Sequence, residues 1–329
     1  MTADHDQPDT VELDGSSASR GAVESFGDRL AERVVRRKSQ LVLGLDPDPA
    51  LLWPHALELV GGVDDASAPP AVRAARAVAV HCELVIDAVA EQCVAVKPQV
   101  ACFERLGAPG WEALAKVIAK AREADLMVIA DAKRGDIDVT ARAYAQAFLG
   151  ATPSPFGPIP GLGADAMTVN PWLGSDSLEP FITVAREAGA GLFVLVRNSN
   201  RGAVELQDRE LSGGTLSDAV AEMVAALGAD GIGKSGLSDI GAVVGATAPH
   251  HLGRLRELMP GAVFLLPGVG AQGGRIDDLG PVFTHGVASG VISVSRGIVH
   301  AHRMSGGDPA AAARREAARL REQAWALVS

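Results

Sequence analysis

Leu126-Met127-Val128-Ile129-Ala130-Asp131-Ala132-Lys133-Arg134-Gly135-Asp136 is the stretch on which the fold of this chain turns. Its first five residues are an apolar run of the kind that forms a buried strand. The run then gives way to charge. Asp131 and Lys133 lie two apart, so on extended backbone they point to the same side. Gly135 lets the chain turn sharply, and Asp136 falls on that turn or on the next helix. Two carboxylates and a lysine therefore meet where a core strand reaches solvent. The expected arrangement is an ammonium held protonated between two carboxylates, a group able to hand a proton to carbon. Two carboxylates so close would also repel a third anion placed beside them. A D-x-K-x-x-D string by itself is common on solvated surfaces. Its place after a buried strand, and the recurrence of that place along the chain, set this one apart.

Outward from it, one pattern repeats. Apolar, strand-like segments at 41–45, 93–96, 126–130, 165–169, 192–196, 241–246, 262–266 and 290–294 alternate with helical ones. The helical segments are 71–92, 110–124, 138–149, 177–188, 216–227, 249–259, 276–284 and 309–327, with an amphipathic helix at 24–38 before them. This alternation predicts a (β/α)8 barrel, the TIM-barrel architecture, as a single domain over 24–329. A doubly wound open sheet also alternates, but the strand count and the unbroken series favour the barrel. Nearly every strand hands over to polar or glycine-rich residues: Asp46, Lys97, Asp131 with Lys133, Asn170, Ser199, Thr247, the loop from Gly268, and Arg296. In a closed barrel these share the rim where active sites are built. The stretch Gly268-Val269-Gly270-Ala271-Gln272-Gly273-Gly274 follows strand seven, and Arg296-Gly297 follows strand eight. Loops at these two places often hold phosphate on backbone N–H groups and a helix N-terminus. Arg296 would add a planar charged fork, and Gln272 could close over the phosphate.

Composition narrows the classes. The chain has 329 residues, 47% hydrophobic and 21% charged, with 37 glycines to serve many strand–loop–helix junctions. A net charge of −10 without a Lys/Arg run argues against nucleic acid and membrane surfaces as partners. An anionic ligand would need a local site working against that field. Cys82, Cys93 and Cys102 form no C-x-x-C pair, which points to a reducing compartment without a disulfide framework. Residues 1–23 read as a polar, disordered tail and not as a signal peptide. No apolar run reaches membrane-spanning length, so the expected location is cytoplasmic. The histidines lack ligand spacing, and no metal is assigned. Residues 228–235 match G-x-x-x-x-G-K-S, but a helix precedes them and a strand follows, the reverse of a P-loop. The Pro/Gly-rich residues 152–163 read as a surface insertion, with a lid role conceivable.

With these residues in view, the chain resembles the orotidine 5′-phosphate decarboxylase family, most closely its bacterial group with VKPQ and DAKRGDI motifs. The resemblance runs from about 26 to 312. It rests on Leu43-Gly44-Leu45-Asp46-Pro47, Val96-Lys97-Pro98-Gln99, Asp131 through Ile137, Val169-Asn170-Pro171-Trp172-Leu173-Gly174, Val243-Val244-Gly245-Ala246-Thr247 and Pro267 through Gly274. It implies a homodimeric barrel that converts orotidine 5′-monophosphate to UMP in de novo pyrimidine biosynthesis, with neither metal nor organic cofactor. It also implies roles. Lys133 protonates C6 and Asp131 stands beside the scissile carboxylate. Lys97 and Asp46 meet the ribose hydroxyls, with Lys97 also in the charged network. Asp136 and Thr140 reach into the partner subunit's site. Arg296 and Gln272 hold the phosphate, with Gly270 and Gly297 in the same loops, and Ser199 meets the pyrimidine. The chain departs from the family pattern at Asn198, where Thr is expected, at Trp172, where Tyr is expected, and in the length of the 152–163 insertion. Two rivals remain at this stage: a Mg²⁺-dependent sugar-phosphate enzyme on the same barrel, and a silent nucleotide-binding barrel.

Overall fold

All eight apolar segments form strands of one parallel sheet: β1 Leu41–Leu45, β2 Ala95–Pro98, β3 Met127–Arg134, β4 Ala166–Val169, β5 Gly191–Arg197, β6 Ile240–Val244, β7 Phe264–Pro267 and β8 Gly290–Val294. In the computed structural model, which describes residues 24–62 and 68–329, they close as β1-β8-β7-β6-β5-β4-β3-β2. The predicted tail at 1–23 lies outside the described residues. Closure pairs Leu43 with Val96 on one side of β1 and Leu41 with Ile292 on the other, so no edge strand remains. The principal helices are α1 Phe26–Arg37, α2 Pro70–Val89, α3 Ala108–Glu123, α4 Asp138–Phe148, α5 Glu179–Ala188, α6 Leu216–Gly228, α7 Leu252–Leu258 and α8 Pro309–Trp325.

The strands are buried on both faces, and their two faces go to different places. Val42, Ala95, Met127, Ile129, Ala166, Phe193, Leu195, Val243, Leu265 and Val291 form one cluster, which fills the barrel. Leu41, Leu43, Val96, Val128, Met167, Leu192, Phe264 and Ile292 join a second cluster with the helices. The period of two along each strand accounts for the division. Helix α1 adds Phe26, Leu30 and Val34 to the inner cluster, and Phe26 meets Phe193 edge-on at 5.8 Å. A Cβ at Gly191 would stand 2.5 Å from the Phe26 ring, so glycine there lets α1 seat. Among the described residues, the helix thus stops the N-terminal end of the barrel and leaves the opposite rim open.

Two expectations are settled by position. Among residues 228–235, the amides of Lys234 and Ser235 donate to the Asp28 carboxylate of α1, at 3.0 and 2.7 Å. The P-loop-like stretch therefore lies at the stopped end and spends its amides on the chain's own carboxylate. The insertion forms a two-stranded ribbon, Ala151–Thr152 with Ile159–Pro160, between α4 and β4. Helix-to-strand connections lie at the N-terminal rim, so it cannot act as a lid over the open end.

Strand ends differ from expectation in one systematic way. β3 runs to Arg134, four residues past its apolar run, and β2 takes in Lys97 and Pro98. Pairing to neighbours holds these polar residues in the ladder: Gln99 bridges Asp131, and Arg134 pairs with Val169 across a register shift. The segment 276–284 is a 3-10 helix, Ile276–His285, with Pro281 inside it, where a missing N–H interrupts α-helical bonding. Segment 249–259 divides into a 3-10 turn, Pro249–His251, and α7. After β5 stand two unexpected elements, a short helix Ala203–Leu206 and a ribbon of Glu210–Leu211 with Gly214–Thr215.

Candidate active site

The same alternation that fills the barrel builds the site one layer higher. Val42 points inward, and so, by a period of two, does Asp46. Ala95 is followed in phase by Lys97 and Gln99, Ile129 by Asp131, and Ala166 by Thr168. Toward the open rim these inward positions change from apolar to polar, and they floor a cavity of about 300 Å³. That size suits a small-molecule ligand.

Asp131 is its centre. Lys97 Nζ donates to Oδ2 at 2.6 Å and Lys133 Nζ to Oδ1 at 2.5 Å. Gln99 Nε2 adds a bond to Oδ2 at 3.1 Å, and Thr168 Oγ1 one to Oδ1 at 3.0 Å. Burial opposes ionisation of Asp131, but the two ammoniums outweigh it and hold the carboxyl well below its usual range. Burial likewise works against a charge on Lys97, and Asp131 with Asp46 overrides it, so this ammonium is raised above its ordinary value. The side chains of Lys97 and Asp131 are 8% and 7% exposed, whereas that of Lys133 is 44% exposed. One cation is thus sealed in, and the other is presented to the cavity.

The polarity of this network reverses the expectation from sequence. Within the chain, a carboxylate lies between two ammoniums, not an ammonium between two carboxylates. Asp136 sits past the turn and accepts the N–H of Ile137 at 2.8 Å instead of meeting Lys133. Lys133 has φ +46°, a left-handed value that a lysine rarely adopts, and its N–H donates to Thr168 Oγ1 at 2.8 Å. This local break in the extended backbone, rather than simple strand alternation, turns Lys133 back toward Asp131.

Of the residues expected from sequence, Asp46, Lys97, Asp131, Lys133, Ser199, Gln272, Arg296 and Gly297 line the cavity together. Asp136, Thr140 and Gly270 are not among its walls. The Gly270 N–H turns back to the Gly274 carbonyl at 2.9 Å, inside its own loop. That loop leans on its neighbours at Gly268, φ +104°, where a Cβ would stand 3.1 Å from both Ser199 Cβ and Thr247 Cγ2. Arg296 opens the short helix Arg296–Val299 directly after β8, exposed at the rim. Gln99 and Thr168, which fix Asp131, carried no assigned role; their phase with Lys97 and Ala166 is the signal that identifies them. Asn198 and Asn200 also reach the wall.

His81 is buried, its Nδ1 accepts the Trp53 N–H at 3.1 Å, and burial first, then His300 and His302, push it down to about 4. Among the described residues, no three His, Cys, Asp or Glu side chains gather in a way that could hold a metal ion.

Residues 39–315 match the model of the orotidine 5′-phosphate decarboxylase / HUMPS family. The orotidine 5′-phosphate decarboxylase of Rhodopirellula baltica is 43% identical over 85% of this chain and 89% of its own. That of Deinococcus radiodurans is 39% identical over 91% of this chain and 96% of its own. The solved OMP decarboxylase of Leishmania donovani superposes with a TM-score of 0.67 at 34% identity, over 92% of this chain and 98% of its own. A closed barrel, a lysine-flanked aspartate at its open end and this extent of similarity lead to one assignment: the chain belongs to the orotidine 5′-phosphate decarboxylase / HUMPS family.

Proposed function

We propose that the chain decarboxylates orotidine 5′-monophosphate to UMP and CO2, a step of de novo pyrimidine biosynthesis, using its own side chains and no metal or organic cofactor. The observation that carries this reading is the Lys97–Asp131–Lys133 network on the cavity floor. Breaking the bond from C6 to the carboxylate releases CO2 and leaves an electron pair on C6. No neighbouring group of the ring can take up that pair. A fixed ammonium can stabilise it and then deliver a proton to it. Lys133 is the cation open to the cavity, and Asp131 holds it through a 2.5 Å bond. The resulting amine regains its proton from solvent after CO2 leaves. One carboxylate between two ammoniums carries a net positive charge, which favours the developing carbanion.

The remaining roles follow the lining. Asp46 and Lys97 meet the ribose hydroxyls, Arg296, Gln272 and the Gly297 loop hold the phosphate, and Ser199 meets the pyrimidine. Phosphate contacts far from C6 supply binding energy that organises the site. Asp136 and Thr140 act in the site of a second subunit, and the protein works as a homodimer. Their position outside the chain's own cavity supports this, as do their neighbours Ile137 and Val139, apolar yet 52% and 82% exposed. A cytoplasmic location fits three cysteines that have no disulfide partner.

The test is the absorbance change of orotidine 5′-monophosphate on conversion to UMP, followed in the presence of EDTA. Turnover is expected. A folded protein that leaves the nucleotide unchanged in EDTA but acts when Mg²⁺ is supplied would refute the metal-free reading. One that binds UMP without turning anything over would refute catalysis.

A further inference from the structure

Behind the cavity wall contributed by β5 stands an ion pair, buried at its arginine and half-buried at its aspartate, that the chemistry above does not use. Arg197, the last residue of β5, is 5% exposed. Its guanidinium lies as a fork on Asp208, Nε to Oδ1 at 2.7 Å and Nη2 to Oδ2 at 2.9 Å. The third donor, Nη1, goes to the Asn198 carbonyl at 2.5 Å. His251 Nε2 stands 3.4 Å from the same Asp208 Oδ1. Gln207, adjacent to Asp208, accepts the Asn198 N–H at 2.8 Å. From the other side, the Gly245 N–H donates to the Arg197 carbonyl at 2.7 Å and Thr247 Oγ1 to that of Ser199 at 3.1 Å. A Cβ on Gly245 would lie 2.7 Å from both N and Cα of Ser199, so the two strand ends are in contact.

Residues 198–200 are therefore gripped by groups that lie outside the cavity, and they present Asn198, Ser199 and Asn200 to it. Every charged residue of the lining, Asp46, Lys97, Asp131, Lys133 and Arg296, comes from another part of the barrel. The β5 wall is polar and neutral although an arginine stands at its base. A neutral wall of amides and a hydroxyl matches the imide edge of a pyrimidine, which offers one N–H and two carbonyls and carries no charge.

We propose that Asp208 is a positioning residue: it clamps Arg197 away from the cavity and so holds residues 198–200 in place to read the pyrimidine ring. The proposal rests on the nucleotide reading of the cavity. A bidentate fork fixes direction as well as distance, which a single hydrogen bond does not. Removing the partner of a buried guanidinium leaves an uncompensated charge. Here that charge would be a guanidinium beside a cavity built for an anion, with the substrate itself as its alternative partner. Loss of the Asp208 carboxylate therefore shifts the wall and frees a competing cation, while Arg296 and Gly297, at the start of the short helix after β8, keep their place.

The experiment compares the full-length parent with Asp208→Asn, measuring kcat/KM for orotidine 5′-monophosphate and the affinities of UMP and ribose 5-phosphate. The expected result is a selective one. kcat/KM and UMP affinity fall about 10- to 100-fold, the scale of a small misplacement at a reacting site, and ribose 5-phosphate binds as in the parent. Asp208→Glu, which keeps the charge, recovers part of the loss. Equal weakening of both ligands, or no weakening of UMP, overturns the proposal. If Asp208→Asn does not fold, Arg197→Met combined with Asp208→Leu replaces the pair by apolar groups, an exchange that buried pairs often tolerate. That folded variant is expected to show the same selective loss, and unchanged UMP affinity in it is contradictory. A parent that binds ribose 5-phosphate but not UMP would overturn the nucleotide reading itself, and the proposal with it.

Discussion

Asp131 accepts hydrogen bonds from Lys97, Lys133, Gln99 and Thr168, which uses every lone pair a carboxylate offers within the plane. The chain thereby settles a buried negative charge and fixes two ammoniums with one residue. The cost of burying Asp131 is offset only while it is ionised, and its carboxyl is held below the ordinary range. A depressed carboxylate contributes stability that is complete above its unfolded value and is lost as pH falls toward its folded value. The stability difference between the parent and Asp131→Asn, read as urea midpoints, is therefore expected to stay constant from neutrality down to about pH 4 and to move against the parent below that. A difference that does not change into acid would mean that the pair is not charged in the native protein. The sealed Lys97 and the open Lys133 also divide the labour at this scale. One holds the aspartate in its state, and the other is presented to the cavity.

The strands and their junctions determine where those residues can stand. Period-two alternation along β1, β2, β3 and β4 carries the interior from Val42, Ala95, Ile129 and Ala166 to Asp46, Lys97, Asp131 and Thr168, so the barrel and its polar floor are one pattern read upward. That is why the strand-end Asp131 and Lys97 were legible in the sequence, with Lys133 marked only as a charge beside them. Other features were not, because they depend on partners distant in the chain. The sign of the network depends on β2 meeting β3, the left-handed turn at Lys133 on Thr168 of β4, and the neutral β5 wall on Asp208, eleven residues beyond Arg197. At the opposite rim, Arg256 of α7 is 1% exposed and donates to the carbonyls of Met259, Pro260, Ala262 and Ser289, with its guanidinium 3.8 Å from the centroid of the Phe264 ring. It joins the entries of β7 and β8. Arg256→Met leaves those carbonyls unpaired and is expected to lower stability by about 3 kcal/mol in urea unfolding, while kcat/KM per folded molecule stays that of the parent. A large loss of kcat/KM with unchanged stability would contradict a purely structural clamp.

The whole molecule is a barrel with one end stopped and one end open. Helix α1 closes the first with Phe26, Leu30 and Val34, and the ribbon at 151–160 decorates that same side. The open end carries the cavity and also the exposed Ile137 and Val139, so candidate site and proposed subunit interface share a rim. If Asp136 serves the partner's site, the two lesions Lys133→Ala and Asp136→Ala damage different sites in a mixed dimer. One site then carries both lesions and the other neither. Mixing the two inactive variants is expected to restore turnover, at one working site per heterodimer. Absence of recovery, with subunit exchange verified by mass, would count against a shared site.

The most direct test of the central claim is a paired measurement on Lys133→Ala: turnover of orotidine 5′-monophosphate and affinity for UMP in the same preparation. If Lys133 is the proton donor at C6, turnover is abolished while UMP still binds, because the ribose and phosphate contacts are assigned in the proposal to Asp46, Lys97, Gln272 and Arg296. Retained turnover in a folded, UMP-binding Lys133→Ala protein would contradict the account at its root.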